Sequence, residues 1–486
     1  MDLPQFRFYH QGSLPAAMPA WALVLEPEWV RAMAPVLGKQ VASWLEERIL
    51  GGARPALALG SREVGVQTLP EREPSARAHE QARKCGAELW NWVHSQGWKQ
   101  WAWIETPLAH SLAEAFIEGF LLSAYHYGVF QDNSRAATAS QLEIWLPEPM
   151  RAGMEKRRKI IAAQCWARDL VNTPPAHLTA DLFAHWMYEQ LEPLGVEVRI
   201  LRKAQLQALK MGGLLGVNRG SQDEPTFTIL EWRPQEVDPQ SEPLVLVGKG
   251  VTYDSGGLNL KSGEPMAWMK SDMAGAAAVA GAIMGVAALS LPRRIIGLIP
   301  ATDNRPGEKA LAPGDVLRMM DGTTVEVMNT DAEGRLILAD ALSYARTLQP
   351  ALMVDLATLT GSAYRALGEE GAVYFSTAPE ALGHQLEAAS QATYERVHPF
   401  PLWPEYAELL RSDSAQMKNV GPPEAGAISA AKFLEHFAGD LPWMHIDMAG
   451  VAFRPGGRGY RGRGGSGFGV RLLLHFLEHL EEEANL

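Results

Sequence analysis

Apolar residues in the second half of the chain fall in short unbroken runs rather than in alternation with polar ones. PLVLV (residues 243–247), RIIGLIP (294–300) and LMVDL (352–356) predict strands buried on both faces, as in a largely parallel sheet. Helical stretches lie between them, including the Ala/Gly-rich 273–291 and LILADALSYARTL (336–348). Strand and helix in turn predict an α/β domain with a mostly parallel central sheet flanked by helices. The first 150 residues read as a separate, smaller α/β domain, with strand-like ALVLEP (22–27) and LEIWLP (142–147) between helical segments. A helix over about 150–171, stopped by NTPPAH, is expected to connect domain 1–150 to domain 151–486.

Length agrees, since 486 residues exceed what one compact core usually holds. Residues 273–291 carry no charge and are long enough to cross a bilayer, but Ala and Gly drive insertion poorly, so a buried core helix is expected. The N-terminus lacks a basic segment followed by an unbroken apolar core, which argues against a signal peptide. With only Cys85 and Cys165 there is no disulfide framework, and a cytoplasmic setting is expected. The net charge of -12 opposes binding to nucleic acid and to anionic membranes. The tryptophans of residues 90–107 have no accompanying Lys or Arg run, so a core role is expected over base stacking.

The candidate chemistry lies between residues 247 and 336. VGKGVTYDSGGLNLK (247–261) follows a buried strand, where an α/β fold opens its binding loops. It lacks the spacing and ending of a phosphate loop, and Asp254 would repel a phosphate. In KSDMAGAA, Asp272 precedes the Ala-rich helix, as a cap or as a metal ligand. In VLRMMDGTTVEVMNTDAEGRL, a hairpin turning at Asp321-Gly322 is expected to deliver Asp331, Glu333 and Arg335 to one side of an extended segment. Two carboxylates about 4 Å apart repel by roughly 4 kcal/mol at an effective dielectric near 20. Four in one cleft call for a pair of divalent ions, and all-oxygen ligands suit Mg, Mn or Zn. HFLEH (475–479) fits an inverted zinc-protease pattern, but no third ligand follows, and a plain terminal helix is expected.

Together these motifs resemble the leucyl aminopeptidase family, the cytosol aminopeptidases, over roughly residues 172–480. NTDAEGRL is intact, and VGKGVTYDSGG, AGAISAAKFL and WMHIDMAG also match. The resemblance implies a metal-dependent aminopeptidase that removes N-terminal Leu or other apolar residues from peptides. It implies two divalent ions, Mn or Zn or else Mg or Co. Asp254, Asp331 and Glu333 would hold one, and Lys249, Asp254, Asp272 and Glu333 the other. Lys261 would polarise the scissile carbonyl, and Arg335 would hold a bicarbonate acting as general base. Met269, Asn329, Ala332, Thr358 and Gly361 match substrate-pocket positions. A homohexamer is also implied.

The sequence departs from the family at Tyr253, where Phe is usual, at GGSG before the last helix, and at the Pro pair of NVGPPEAG. A two-metal phosphoesterase and a nucleic-acid-binding or scaffolding protein of the same fold remain the alternatives. The basic, Gly-rich segment 453–469 is expected near the mouth of the cleft, with Arg454, Arg458, Arg461 and Arg463 drawing acidic groups of the substrate.

Overall fold

The computed structural model describes residues 3–9, 20–24, 56–59, 62–67, 74–97, 99–103, 110–130 and 142–480. Residues 25–27, 98 and 104–107 of the stretches above lie outside these. By contacts the chain divides into two units: Met1–Ala162 with Gly457–Gly462, and Ala163–Gly456 with Arg463–Leu486.

The first unit holds strands β1 (Gln5–Tyr9), β2 (Ala20–Val24), β3 (Ala56–Leu59), β4 (Arg62–Gln67), β5 (Gln100–Trp103) and β6 (Glu143–Pro147). They form one sheet in the order β1-β6-β5-β2-β4-β3, parallel except for the β3–β4 pair. Helices α1 (Ala76–Gln96) and α2 (His110–Ser123) accompany it. Trp90 and Trp101 are buried and both meet the ring of Phe120, at centroid distances of 5.4 and 5.0 Å. These two tryptophans are core residues, as the lack of an accompanying Lys or Arg run predicts.

Helix α3 (Arg151–Asn172) stops where Pro174 and Pro175 follow, and the division between units falls within it. Beyond α4 (Ala180–Leu191) come strands β7 (Glu197–Arg202), β8 (Thr226–Trp232), β9 (Leu244–Gly248) and β10 (Gly250–Asp254), then α5 (Ala274–Leu289) and β11 (Ile295–Asn304). A hairpin follows, β12 (Val316–Arg318) with β13 (Thr324–Glu326), then α6 (Gly334–Arg346), β14 (Leu352–Ala357), α7 (Gly361–Leu367) and β15 (Ala372–Ser376). Then come α8 (Glu380–Thr393), β16 (Val397–Pro399), β17 (Met417–Lys418), α9 (Gly426–Ala438), β18 (Trp443–Asp447), the short pair β19 (Phe453–Arg454) and β20 (Gly464–Gly465), and α10 (Val470–Glu478). Two helices of six residues, Lys203–Ala208 and Gly212–Val217, lie between β7 and β8. The main sheet runs β16-β15-β18-β14-β9-β11-β8-β7, with β10 beside β11. Its centre, β18-β14-β9-β11 with β10, is parallel, and β8 and β15 join it antiparallel.

The three unbroken apolar runs are β9, β11 and β14, and every residue of each is buried. The Ala/Gly stretch is α5; together with the 3-10 segment before it, the helical run Glu264–Leu289 is long and apolar enough to cross a membrane, with 83% of its most apolar window buried inside the protein. Its composition has a steric cause. A Cβ on Gly275 would stand 2.0 Å from the Leu356 carbonyl oxygen, so only a helix of small residues lies this close to β14. The expected hairpin closes with the Gly322 N–H on the Met319 carbonyl at 2.9 Å and Gly322 at φ +95°.

Candidate active site

Parallel strands open their carboxyl ends on one edge of the sheet, and the candidate residues collect there. Lys249 follows β9, Asp254 ends β10, Asn304 ends β11, Thr358 follows β14 and Asp447 ends β18. The Lys249 ammonium donates to Asp272 at 2.8 Å and to the Thr358 carbonyl at 3.1 Å, and lies 2.9 Å from Glu333 Oε1. All three of its protons are thereby used. Lys261 stands between Asp254 Oδ2 at 2.8 Å and Asp331 Oδ1 at 2.5 Å. Asp254 Oδ1 accepts from Asn304 Nδ2 and from the Gly256 N–H, both at 2.8 Å. Asp254, Asp272 and Glu333 are buried, and each offers an oxygen within 4.8 Å of the others. Asp331 and Lys261 form the more open side, with 30% and 19% of their side chains exposed.

Local chemistry explains the convergence. Asp272 does not cap α5. Its carboxylate is taken by Lys249 and by the Thr358 hydroxyl at 2.7 Å, and the cap position, Met273, makes no side-chain bond. Asp331, Glu333 and Arg335 do not share one side of an extended strand as the period-two argument predicts. β13 ends at Glu326, and the Asn329 side chain accepts the Asp331 N–H at 2.8 Å, which curls the chain. α6 then begins at Gly334, so Arg335 lies in its first turn. What approaches Gly334 is Lys249, since a Cβ there would sit 2.4 Å from Lys249 Cε and 2.7 Å from Nζ.

Four carboxylates against two ammoniums leave an excess of negative charge, and it appears in the acidities. Burial and the Glu333 charge push the Asp254 carboxyl up to about 7. Burial raises Asp272 well above the carboxylate range, against the pull of Lys249, and raises Asp331 as well. Glu333 is itself buried, but the two lysines overcome that and hold it below its ordinary value. Burial would lower Lys249 and Lys261, yet the surrounding acids outweigh it and keep both firmly protonated. Glu333 Oε2 is buried and accepts no hydrogen bond. A pocket lined with carboxylate oxygen, negative in balance and short of donors, fits added divalent cations.

Arg335 is buried, and burial lowers its guanidinium to about 10, which still leaves it cationic at neutral pH. Its Nη1 is fixed on the Asn419 carbonyl at 2.7 Å, while its Nε–H is buried without an acceptor. Among the substrate-pocket positions, Thr358 touches Lys249 and Asp272 directly. Asn329 and Ala332 belong to the curl around Asp331, Gly361 opens α7 beyond Thr358, and Met269 lies half-buried on the short 3-10 helix Glu264–Ser271 that leads into Asp272.

Sequence reasoning missed the supports. Asn419, fully buried, donates to the Asn329 carbonyl at 2.7 Å and accepts the Met328 N–H at 2.8 Å, which pins the acidic loop. Thr330 and Asn259 exchange hydrogen bonds that tie that loop to the one after β10. The only signal for Asn419 was its place in NVGPPEAG. In the basic segment, at least two of the four arginines are engaged within the protein. Arg454 is buried and paired with Glu369 at 3.1 Å, and Arg461 lies 3.6 Å from Glu80, so these two charges already answer acids of the protein. Tyr460 donates to Glu80 at 2.6 Å, and Gly457–Gly462 belongs to the first unit. His475 lies in α10 with its ring stacked on that of His479, and among the described residues neither belongs to a metal-binding group.

Buried acids and lysines gathered at the strand ends of an α/β unit form a candidate catalytic centre, and known proteins specify its family. The model of the cytosol aminopeptidase family, catalytic domain, matches residues 165–474. A probable cytosol aminopeptidase of Chlorobaculum parvum is 52% identical over 314 residues, which cover 64% of this chain and 62% of that protein's length. Another, of Chlorobium luteolum, is 45% identical over 393 residues, or 76% of this chain and 77% of the relative. The solved structure of the bottromycin maturation enzyme BotP in complex with Mn superposes with a TM-score of 0.83 at 32% identity, covering 96% of this chain and 100% of that one. The chain belongs to the cytosol aminopeptidase family and is a peptidase of that family.

Proposed function

We propose that this protein is a metal-dependent aminopeptidase that removes an N-terminal residue, preferably Leu or another apolar one, from peptides. The observation that carries this is the buried group Asp254, Asp272 and Glu333, with one Glu333 oxygen bare and only two lysines to balance four acids. Asp254, Asp331 and Glu333 would hold one divalent ion, and Lys249, Asp254, Asp272 and Glu333 the other. Such ions, when bound, make a water acidic enough to attack a carbonyl and stabilise negative charge on oxygen. Lys261 would donate to the substrate carbonyl oxygen as charge grows there. Arg335 cannot itself be a base, but its unmet Nε–H suits a bicarbonate that takes the proton. Thr358, Gly361, Asn329, Ala332 and Met269 would shape the pocket for the first residue. Manganese has support from the Mn complex of BotP, and a cytoplasmic homohexamer belongs to the same proposal. Hydrolysis of a panel of aminoacyl-anilides with Mn, Zn, Co and Mg in turn tests it. Inactivity toward every anilide with every metal would refute it.

Lys249 would bind its ion as a neutral amine. Keeping an ordinary lysine neutral at pH 7 costs about 4.6 kcal/mol, and the neighbouring acids make Lys249 harder still to deprotonate. Binding should therefore release a proton, and affinity should fall as pH drops. Calorimetric titrations in buffers of different ionisation enthalpy measure the release. Heats that do not depend on the buffer would remove Lys249 from the ligand set.

Gly334→Ala should drive Lys249 out of place while its helix gains from the better helix former. The expected protein is folded, melts no lower than the parent, and binds Mn at least about tenfold more weakly. Unchanged Mn affinity would show that Lys249 can yield at no cost to the site.

A further inference from the structure

Asp447 lies at the end of β18, buried, and the functional reading gives it no part. Its backbone neighbour Met448 bonds the Ala357 carbonyl at 2.8 Å, in register with the end of β14. From there the carboxylate gathers the turn that leaves β14. Oδ1 accepts the N–H groups of Leu359 at 3.2 Å, Thr360 at 3.4 Å and Ala449 at 3.2 Å, and Oδ2 accepts the Thr360 hydroxyl at 2.7 Å. The same hydroxyl receives the Ala363 N–H at 3.0 Å and so starts α7. Directly before this turn, the Thr358 carbonyl accepts a hydrogen bond from Lys249 and the Thr358 hydroxyl donates one to Asp272.

We propose that Asp447 is a positioning residue for this site, fixing residues 358–360 so that Thr358 holds Lys249 and Asp272 in place. The inference rests on the aminopeptidase reading. It assigns a task to the aspartate of WMHIDMAG. The Asp447 carboxylate bonds Leu359, Thr360 and Ala449 rather than any of the acids and lysines of the centre, and acts through a single turn. Loss of its grip lets the Thr358 peptide plane rotate, and two groups of the centre then lose a fixed partner each. Outer partners of this kind orient the inner ones, and removing them typically lowers metal affinity by about 10- to 100-fold.

The test titrates metal-free protein with Mn²⁺ alone by calorimetry, and separately follows leucine-anilide hydrolysis across Mn²⁺ concentrations. Asp447→Asn keeps the size but has a single acceptor oxygen, so either the Thr360 hydroxyl or the N–H groups of Leu359, Thr360 and Ala449 lose theirs. Thr360→Val removes that hydroxyl at equal size, and Thr360→Ser returns it. Expected are Mn²⁺ affinities about tenfold or more weaker for Asp447→Asn and Thr360→Val, with most of the loss restored in Thr360→Ser. The activity deficit of the first two should close as Mn²⁺ is raised, which loss of folded protein would not produce. Should Asp447→Asn fail to fold, the Val and Ser pair at Thr360 decides. Folded Thr360→Val that binds Mn²⁺ as tightly as the parent overturns the proposal. A parent protein that binds no Mn²⁺ and cleaves no anilide overturns the aminopeptidase reading instead.

Discussion

Glu333→Ala should abolish peptidase activity and leave a folded protein. In the structure Glu333 meets Lys249 at 2.9 Å with one oxygen and keeps the other bare, so it is the carboxylate best placed to serve two ions at once. Its loss should weaken Mn binding by more than the roughly 100-fold that an outer partner's loss costs. The metal-free protein should melt lower, because the two lysines hold Glu333 below its ordinary value and Lys249 loses a buried counter-charge at 2.9 Å. The relief of Asp254 eases that loss only in part. The further stabilisation that Mn gives the parent should vanish. A well-folded Glu333→Ala protein with parental activity would end the two-ion interpretation.

Lys261→Ala should lower kcat by about 10²-fold, since one donor to a developing oxyanion is typically worth roughly 3 kcal/mol. Mn content should stay normal or rise, because the Lys261 ammonium sits between Asp254 and Asp331 and competes for both. The two readouts move in opposite senses, which separates a role in catalysis from a role in charge balance. An unchanged kcat would reduce Lys261 to the second role.

How far the sequence could be read depended on the range of the forces involved. β9, β11 and β14 were legible because a strand buried on both faces must be apolar at every position, and α5 because small residues without charge suit only a crowded interior. The acids and lysines of the centre were visible as residue types that are costly to crowd. The route by which they meet was not. Asn329 curls the chain through a bond to Asp331, and one local hydrogen bond overrode the alternation that an extended segment would have kept. Asn419 and Asp447 stayed hidden because they act from positions distant in sequence, and nothing near either residue marks it as a support. The partners of Arg454 and Arg461 were likewise not legible, because Glu369 and Glu80 lie far from them in sequence.

The place of β18 has a consequence for biogenesis. It lies between β14 and β15, yet it is synthesised after both. A nascent chain that has just completed β15 therefore carries a slot in its sheet, with two unpaired strand edges facing each other across it. Such edges recruit other strands, including those of neighbouring nascent chains. Asp447 arrives with the strand that fills the slot, so the turn after β14 cannot be tied down before then. A chain terminated ahead of residue 443 lacks Asp447 and leaves the facing edges of β14 and β15 without the strand that joins them.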